Sequence, residues 1–188
     1  MNQTHNQTHN QTHNQIIRGF KSAGKYIVEL DIDNVTSKNN LFREVYDSEF
    51  ASYRCSRALV VDIYDKITNQ QVDHVRSDYD KKFVYIRGRY VYVLDYDTNM
   101  NNICTAGIHF YLNKVPAYYH NLVSSDFSGE YKEWDSHGRP TKKAAYLYGK
   151  LHTVIYISYG NTWEEIKMSD FARSLGYEWN VSTKSFVE

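Results

Sequence analysis

Five short runs govern what this chain can fold into: ALVVDIY (58–64), QVDHVRS (71–77), FVYI (83–86), YVYVLDY (90–96) and GIHFYL (107–112). Each alternates polar and apolar residues or is apolar throughout, and polar turns separate them. That is the period of a pleated strand, in runs too short for stable helices. An earlier run, Gly24–Ile32, alternates in the same way. Residues 71–77 are expected to pair back on 58–64. Residues 83–86 and 90–96 are expected to form a hairpin across Arg87-Gly88-Arg89, with Gly88 at positive φ. The 18 tyrosines suit such a sheet, because the ring packs on the pleat while the hydroxyl stays wet.

Helical signals are few. Leu41, Phe42, Val45, Tyr46, Phe50 and Tyr53 follow a loosely helical spacing. Asn113 can cap a short turn in which Pro116 is tolerated. Thr162-Trp163-Glu164-Glu165 reads as a capping box opening a helix that Gly176 stops. Between these, 127–152 alternates aromatic and charged residues around His137-Gly138 and Tyr148-Gly149-Lys150, reading as hairpin, turn, hairpin. Residues 153–159 form a further strand, and 177–187 a closing hairpin. The fold class is therefore α+β and β-rich, a mainly antiparallel sheet with short helices. The expected organisation is a tail at 1–15, a β-rich domain at 16–122, hairpins at 123–152 and a helix-hairpin module at 153–188. The tail repeats NQTH three times without an apolar face and is read as disordered. Its His5, His9 and His13 would share a helix face, but repeat slippage accounts for them.

Composition narrows the function. The 22 Lys and Arg balance the 22 Asp and Glu, which argues against a broad electrostatic grip on nucleic acid or an anionic membrane. No run approaches the length of a membrane span and no leader peptide is read. Cys55 and Cys104 lack a Cys-x-x-Cys partner, so a reduced setting is expected, host cytoplasm or virion. Neither a nucleophile elbow nor a phosphate-binding glycine loop occurs. Cys104, His109, His120 and His74 contain no close ligand pair, so no metal is expected. Catalytic residues and cofactors are not expected either.

His109 is the candidate worth placing. It shares a strand face with Tyr111, opposite Ile108, Phe110 and Leu112. It reads as a structural histidine bonded to a neighbouring tyrosine or carboxylate; the sharper alternative makes His109, Tyr111 and Tyr119 ligand-binding residues. Arg87 and Arg89, with Lys81, Lys82, Tyr79, Tyr85 and Tyr90, form a small basic cluster able to stack and hold single-stranded nucleic acid. Alternating charge on a solvated hairpin explains it as well.

Several segments resemble known families. Ser56-Arg57-Ala58-Leu59-Val60-Val61 through Ser77, Phe83-Val84-Tyr85, Gly88 and Cys104-x-x-Gly107-Ile108-His109-Phe110, with Ala117 and Tyr119, resemble an uncharacterised domain of large DNA viruses and phages. That domain spans about 41–121 and is often found beside pentapeptide or MORN-type repeats. Gly129-Glu130-Tyr131-Lys132-Glu133-Trp134, Gly138 and Tyr148-Gly149-Lys150-Leu151-His152 resemble MORN-like repeats, which stack as hairpins and serve as scaffolds. About one and a half units are too few to stand alone, so they must pack on a neighbour. Ala172–Asn180 and Thr183–Val187 are similar to a helix-plus-hairpin module of primase- and conjugation-associated proteins. Arg173, Asn180 and Phe186 depart from its pattern. Finally, Thr105–His120 resembles a stretch of ADP-ribosyltransferases in which an aromatic residue stacks on nicotinamide; His109 takes that place. The expected partner motif, His-Gly followed by Thr or Ser on an earlier strand, is missing. These resemblances imply a non-catalytic structural or interaction protein, with a protein partner or self-association, and neither nucleic acid nor membrane.

Overall fold

The computed structural model describes residues 16–34, 36–159, 162–164, 178–180 and 185–187. The NQTH tail and the helix expected after Thr162 lie outside the described residues. The architecture is β-rich and antiparallel, with very little helix. Six strands line up in the order β3 (Ser52–Cys55), β8 (Ile108–Tyr111), β1 (Ile17–Ala23), β2 (Tyr26–Ile32), β4 (Arg57–Asp65) and β7 (Tyr90–Tyr92). Every neighbouring pair is antiparallel.

Register sends the apolar residues to one face. Val28, Leu30 and Ile32 of β2 meet Val60 and Ile63 of β4 on one side and β1 on the other. Tyr53 and Cys55 face Phe110 and Ile108, completing the buried layer. A hairpin of β5 (His74–Arg76) and β6 (Val84–Ile86) roofs this face. It contributes buried Tyr85, with Val72, Val75 and Phe83 packed around it. The opposite face is covered in part by α1 (Lys114–Tyr119), which packs on β1, β2 and β8. Asn113 caps α1, its side-chain oxygen accepting from the Val115 N–H at 2.9 Å, and Ala117 is buried.

Three expectations about local pairing change. Residues 41–53 form no helix beyond a 3-10 turn at Asn39–Phe42. Pairing with β8 claims 52–55, and Phe42 and Tyr46 stay exposed, leaving Leu41 and Val45 to pack. Strand β5 pairs with β6; the segment before it, not β5 itself, links back to β4 through the Tyr64–Gln71 bridge and the bonds from Val72 N to Ile63 O, Asp65 N to Gln70 O and Gln71 Nε2 to Asp62 Oδ2. Strands β6 and β7 therefore do not form a hairpin. The chain turns at Gly88 from the roof into the main sheet, Gly88 N donating to Val60 O and Arg89 O accepting from Val60 N.

The second sheet is the meander β9 (Gly129–Trp134), β10 (Pro140–Leu147), β11 (Lys150–Tyr159) and β12 (Thr162–Glu164). Thr162–Glu164, expected to open a helix, pairs with β11 instead. Strand β11 runs unbroken across residues 152 and 153. A separate pair joins β13 (Glu178–Asn180) to β14 (Ser185–Val187).

Both turn glycines of the meander touch neighbouring backbone. A Cβ on Gly138 would lie 2.2 Å from Asp47 O and 2.8 Å from Ala51 N; one on Gly149 would lie 2.4 Å from Ser124 O. Their φ angles, +80° and +69°, also disfavour side chains. Around Gly138, the His137 carbonyl accepts from Tyr46 N and Asp47 N, and Ser136 O accepts from Ser52 N. The meander is thus clamped backbone to backbone on the edge of the first sheet. Gly88 has a similar φ of +75° but nothing within 4 Å of its Cβ position. We expect Gly88→Ala to cost about 1 kcal/mol from backbone conformation alone, and Gly138→Ala at least about 2 kcal/mol more. Urea unfolding of the two variants checks this; equal losses would mean the turn is not docked.

Candidate functional site

Strand β8 lies between β3 and β1, so its side chains split cleanly. Ile108 and Phe110 enter the core, while His109 and Tyr111 face the other way beside Arg54. Arg54 organises that face. Only 1 % exposed, it donates from Nη1 to the carbonyls of Asp97 (3.0 Å) and Ala106 (2.9 Å). Its Nη2 donates to the carbonyls of Asn99 (3.0 Å) and Asn102 (2.5 Å). Its guanidinium also lies 5.2 Å from the Tyr96 ring centroid. A planar fork with several N–H groups suits a curled loop of carbonyls better than an ammonium does. Gly107 lets the chain return closely: a Cβ there would lie 3.0 Å from Arg54 Cβ.

The same loop supplies the partner of His109. The imidazole Nε2 donates to the Thr105 carbonyl at 2.9 Å, in place of the expected tyrosine or carboxylate. Burial lowers the His109 pKa; the Thr105 carbonyl opposes the shift, and the charges of Lys21 and Arg54 add to it. The ring is therefore neutral at neutral pH with its proton on Nε2, and that nitrogen is not available as a proton acceptor.

Tyr111 shares this face, opposite Phe20 and Ser52. Burial pushes its hydroxyl up to about 12, with Tyr79 and Glu133 contributing. Tyr119 belongs to a different group, a row of rings between α1 and the meander. It sits edge-on to Tyr118 (5.1 Å) and Tyr131 (6.0 Å) and 6.1 Å from Trp134. Trp134 stacks on Phe50 at 5.0 Å, and Tyr131 continues to Tyr146 at 5.6 Å. Lys142 caps the row over Tyr131 and Tyr146 and donates to the Tyr146 hydroxyl at 2.8 Å. These half-buried rings pack the meander against α1 and the segment before β3.

The basic cluster is also partly committed. Arg87 forks onto Gln71 Oε1 and Asp73 Oδ1, both at 2.9 Å. Tyr85 is buried in the core and unavailable for stacking. Arg89, Lys81 and Lys82 are exposed, beside exposed Tyr79 and Tyr90.

Two features escaped the reading of the sequence. Lys66 is buried where β4 ends, its Nζ donating to Ser22 Oγ (2.8 Å) and His120 O (2.5 Å). Lys21 is buried under the roof hairpin, near the Tyr85 ring. Burial lowers both to about 8, against the pull of Asp78. Nothing in an isolated lysine announces such burial. The second feature is an open cleft of about 500 Å³ where the Gly138 turn meets the 44–46 segment. Glu44, Val45, Tyr46, Asp135, His137 and Arg139 line it, with Arg139 over the Tyr46 ring at 5.4 Å. Among the described residues no group of three or more His, Cys, Asp or Glu side chains could hold a metal ion.

Removing the Arg54 fork in Arg54→Leu strips the Asp97 and Asn102 carbonyls of this donor, leaves the Ala106 and Asn99 carbonyls only their bonds within the loop, and loosens the loop. An equilibrium denaturation midpoint should report a loss of about 3 kcal/mol; a loss under about 0.5 kcal/mol would contradict the anchoring role. His120, like His109, has a lowered pKa, through burial first and then through Lys66 and Lys21. Both rings stay neutral in the fold while the unfolded chain takes protons near the ordinary histidine value. Stability is therefore full above about pH 6.5 and declines as pH falls below it. The melting temperature should drop between about pH 7 and pH 5.5, and drop less in His109→Gln; a flat profile would refute this.

The pattern of a family of unknown function, DUF5758, matches residues 7–117. No curated protein and no solved structure matches the chain. The matched stretch is more than half of the chain and contains all six strands of the main sheet together with His109 and Arg54. The chain belongs to the DUF5758 family of unknown function.

Proposed function

We propose that this protein is non-catalytic, a structural or interaction protein of a large DNA virus or phage, working in host cytoplasm or in the virion. The observation that carries the reading is the commitment of the His109 face. Its imidazole is spent on a backbone carbonyl, and its neighbour Arg54 holds the covering loop. A transferase of the ADP-ribosyl type needs that position open for a nicotinamide ring. The viral assignment rests on the resemblance of residues 41–121. The MORN-like reading is supported by the glycine turns of the β9–β11 meander and by its docking on a neighbour. No helix among the described residues is long and apolar enough to cross a membrane.

What remains exposed suits contact with another protein. Tyr79, Ile86, Tyr90, Tyr92 and Leu94 present large apolar side chains within one stretch of sequence. Tyrosine is favoured at interfaces because it supplies area at low entropic cost. Among the described residues the nucleic-acid alternative keeps the exposed Arg89, Lys81 and Lys82, while Arg87 is paired with Asp73.

A thermal-shift panel with NAD, zinc and a short oligonucleotide tests the reading. A ligand at a hundred times its dissociation constant stabilises by about 2.7 kcal/mol, which moves the melting point by several degrees. We expect no such shift from any of the three. A rise with NAD that disappears in His109→Ala would overturn the proposal in favour of the enzyme; a salt-dependent rise with oligonucleotide that disappears in Arg89→Ala would overturn it in favour of the nucleic-acid binder.

A further inference from the structure

We propose that β7 is a self-association edge, pairing antiparallel with β7 of a second copy of this chain. The inference deepens the interaction reading above and rests on it. The main sheet ends in β3 and β7. The β3 end is covered: Ser52 N donates to Ser136 O at 3.2 Å, and Arg43 Nη2 donates to the carbonyls of Ser52 and Ser136. The β7 end is paired on one side only among the described residues.

Alternation fixes what that free side offers. Val93 N donates to Ser56 O at 2.7 Å, Arg89 O accepts from Val60 N at 2.9 Å, and Val91 pairs with Ala58. The odd residues thus spend their backbone groups on β4 or its flanks. Tyr90 and Tyr92 turn their N–H and C=O groups outward. Their side chains lie on one sheet face, ring centroids 6.1 Å apart and about half exposed, at 45 % and 53 %; Leu94 follows at 99 %. Arg57, paired with Asp33, lies over the Tyr90 ring at 5.4 Å and steadies it. Edges are usually blunted by lysine, proline or an inward charge. Beyond its brevity of three residues, Tyr90–Tyr92 carries none of these.

The choice of a second copy comes from charge order. Arg87 and Arg89 precede the strand, and Asp95 follows it. A two-fold axis through Tyr92 sets the two short strands side by side and brings the Arg89 end of each copy toward the Leu94-Asp95 turn that follows the strand in the other. A parallel arrangement would set like charges together. The isologous seam closes on itself and leaves no edge for further growth.

Light scattering on the full chain, across about 1 to 100 µM, tests this. The expected result is a mass rising from the 22.2 kDa monomer toward twice that value. Tyr92→Lys should raise the dimer dissociation constant about tenfold or more. Arg89→Asp and Asp95→Arg should each weaken the dimer, and mixing the two single variants, or combining them in one chain, should restore it; these exposed positions keep the test open if Tyr92→Lys misfolds. A monomer throughout, or a dimer indifferent to all of these changes, would overturn the inference while leaving the interaction reading to other surfaces. Stabilisation by NAD that requires His109 would overturn that reading instead.

Discussion

The fork of Arg54 into four backbone carbonyls is the contact on which the arrangement of the functional face depends. Strand β3 is only four residues long, and its arginine faces away from the core. Left in an open position, that side chain would be solvated and the 97–106 loop would keep its internal bonds but lose its tie to β3. Buried together, they satisfy each other: a delocalised cation takes the Asp97 and Asn102 carbonyls and adds a second donor to the Ala106 and Asn99 carbonyls, which already accept from Asp97 N and Asn102 N within the loop. The loop then carries Thr105 to His109, so the chemistry available to the histidine follows from an arginine on the neighbouring strand.

The second sheet is tied to the first by a different physics. The close approach at Gly138 to Asp47 and Ala51 admits no side chain, and Arg43 adds bonds to Ser136 O and Ser52 O. Between the meander and the α1 and pre-β3 segments runs the ring series Phe50, Trp134, Tyr119, Tyr131 and Tyr146, whose stacked, tilted and edge-on contacts favour fixed geometry over a fluid apolar patch. The meander therefore packs on the rest of the same chain. The polar cluster of Ser22, Lys66 and the His120 carbonyl joins α1 to the end of the main sheet.

Much of this was legible in the residues. Alternation at Gly107–Leu112 placed His109 opposite the core, and Asn113 announced the cap of α1. The turn glycines of the meander stood out between aromatic strands. Strand β1 did not, because Gly19 and Lys21 occupy its buried face and break the apolar alternation. The spacing of 41–53 suggested a helix, yet long-range pairing of Ser52–Cys55 with β8 outweighed a weak local preference. The strand partners of β5, β6 and β7 could not be read from adjacency, since the turn at Gly88 moves the chain between layers. Arg54 was invisible for the same reason: its partners lie more than forty residues downstream.

Nitrogen-15 NMR of the His109 ring in the full chain tests the central claim most directly. We predict a neutral imidazole with its proton held on Nε2, a pKa below the ordinary histidine value, and no response to NAD. A ring that titrates like a free histidine, exchanges between tautomers and shifts when NAD is added would contradict it.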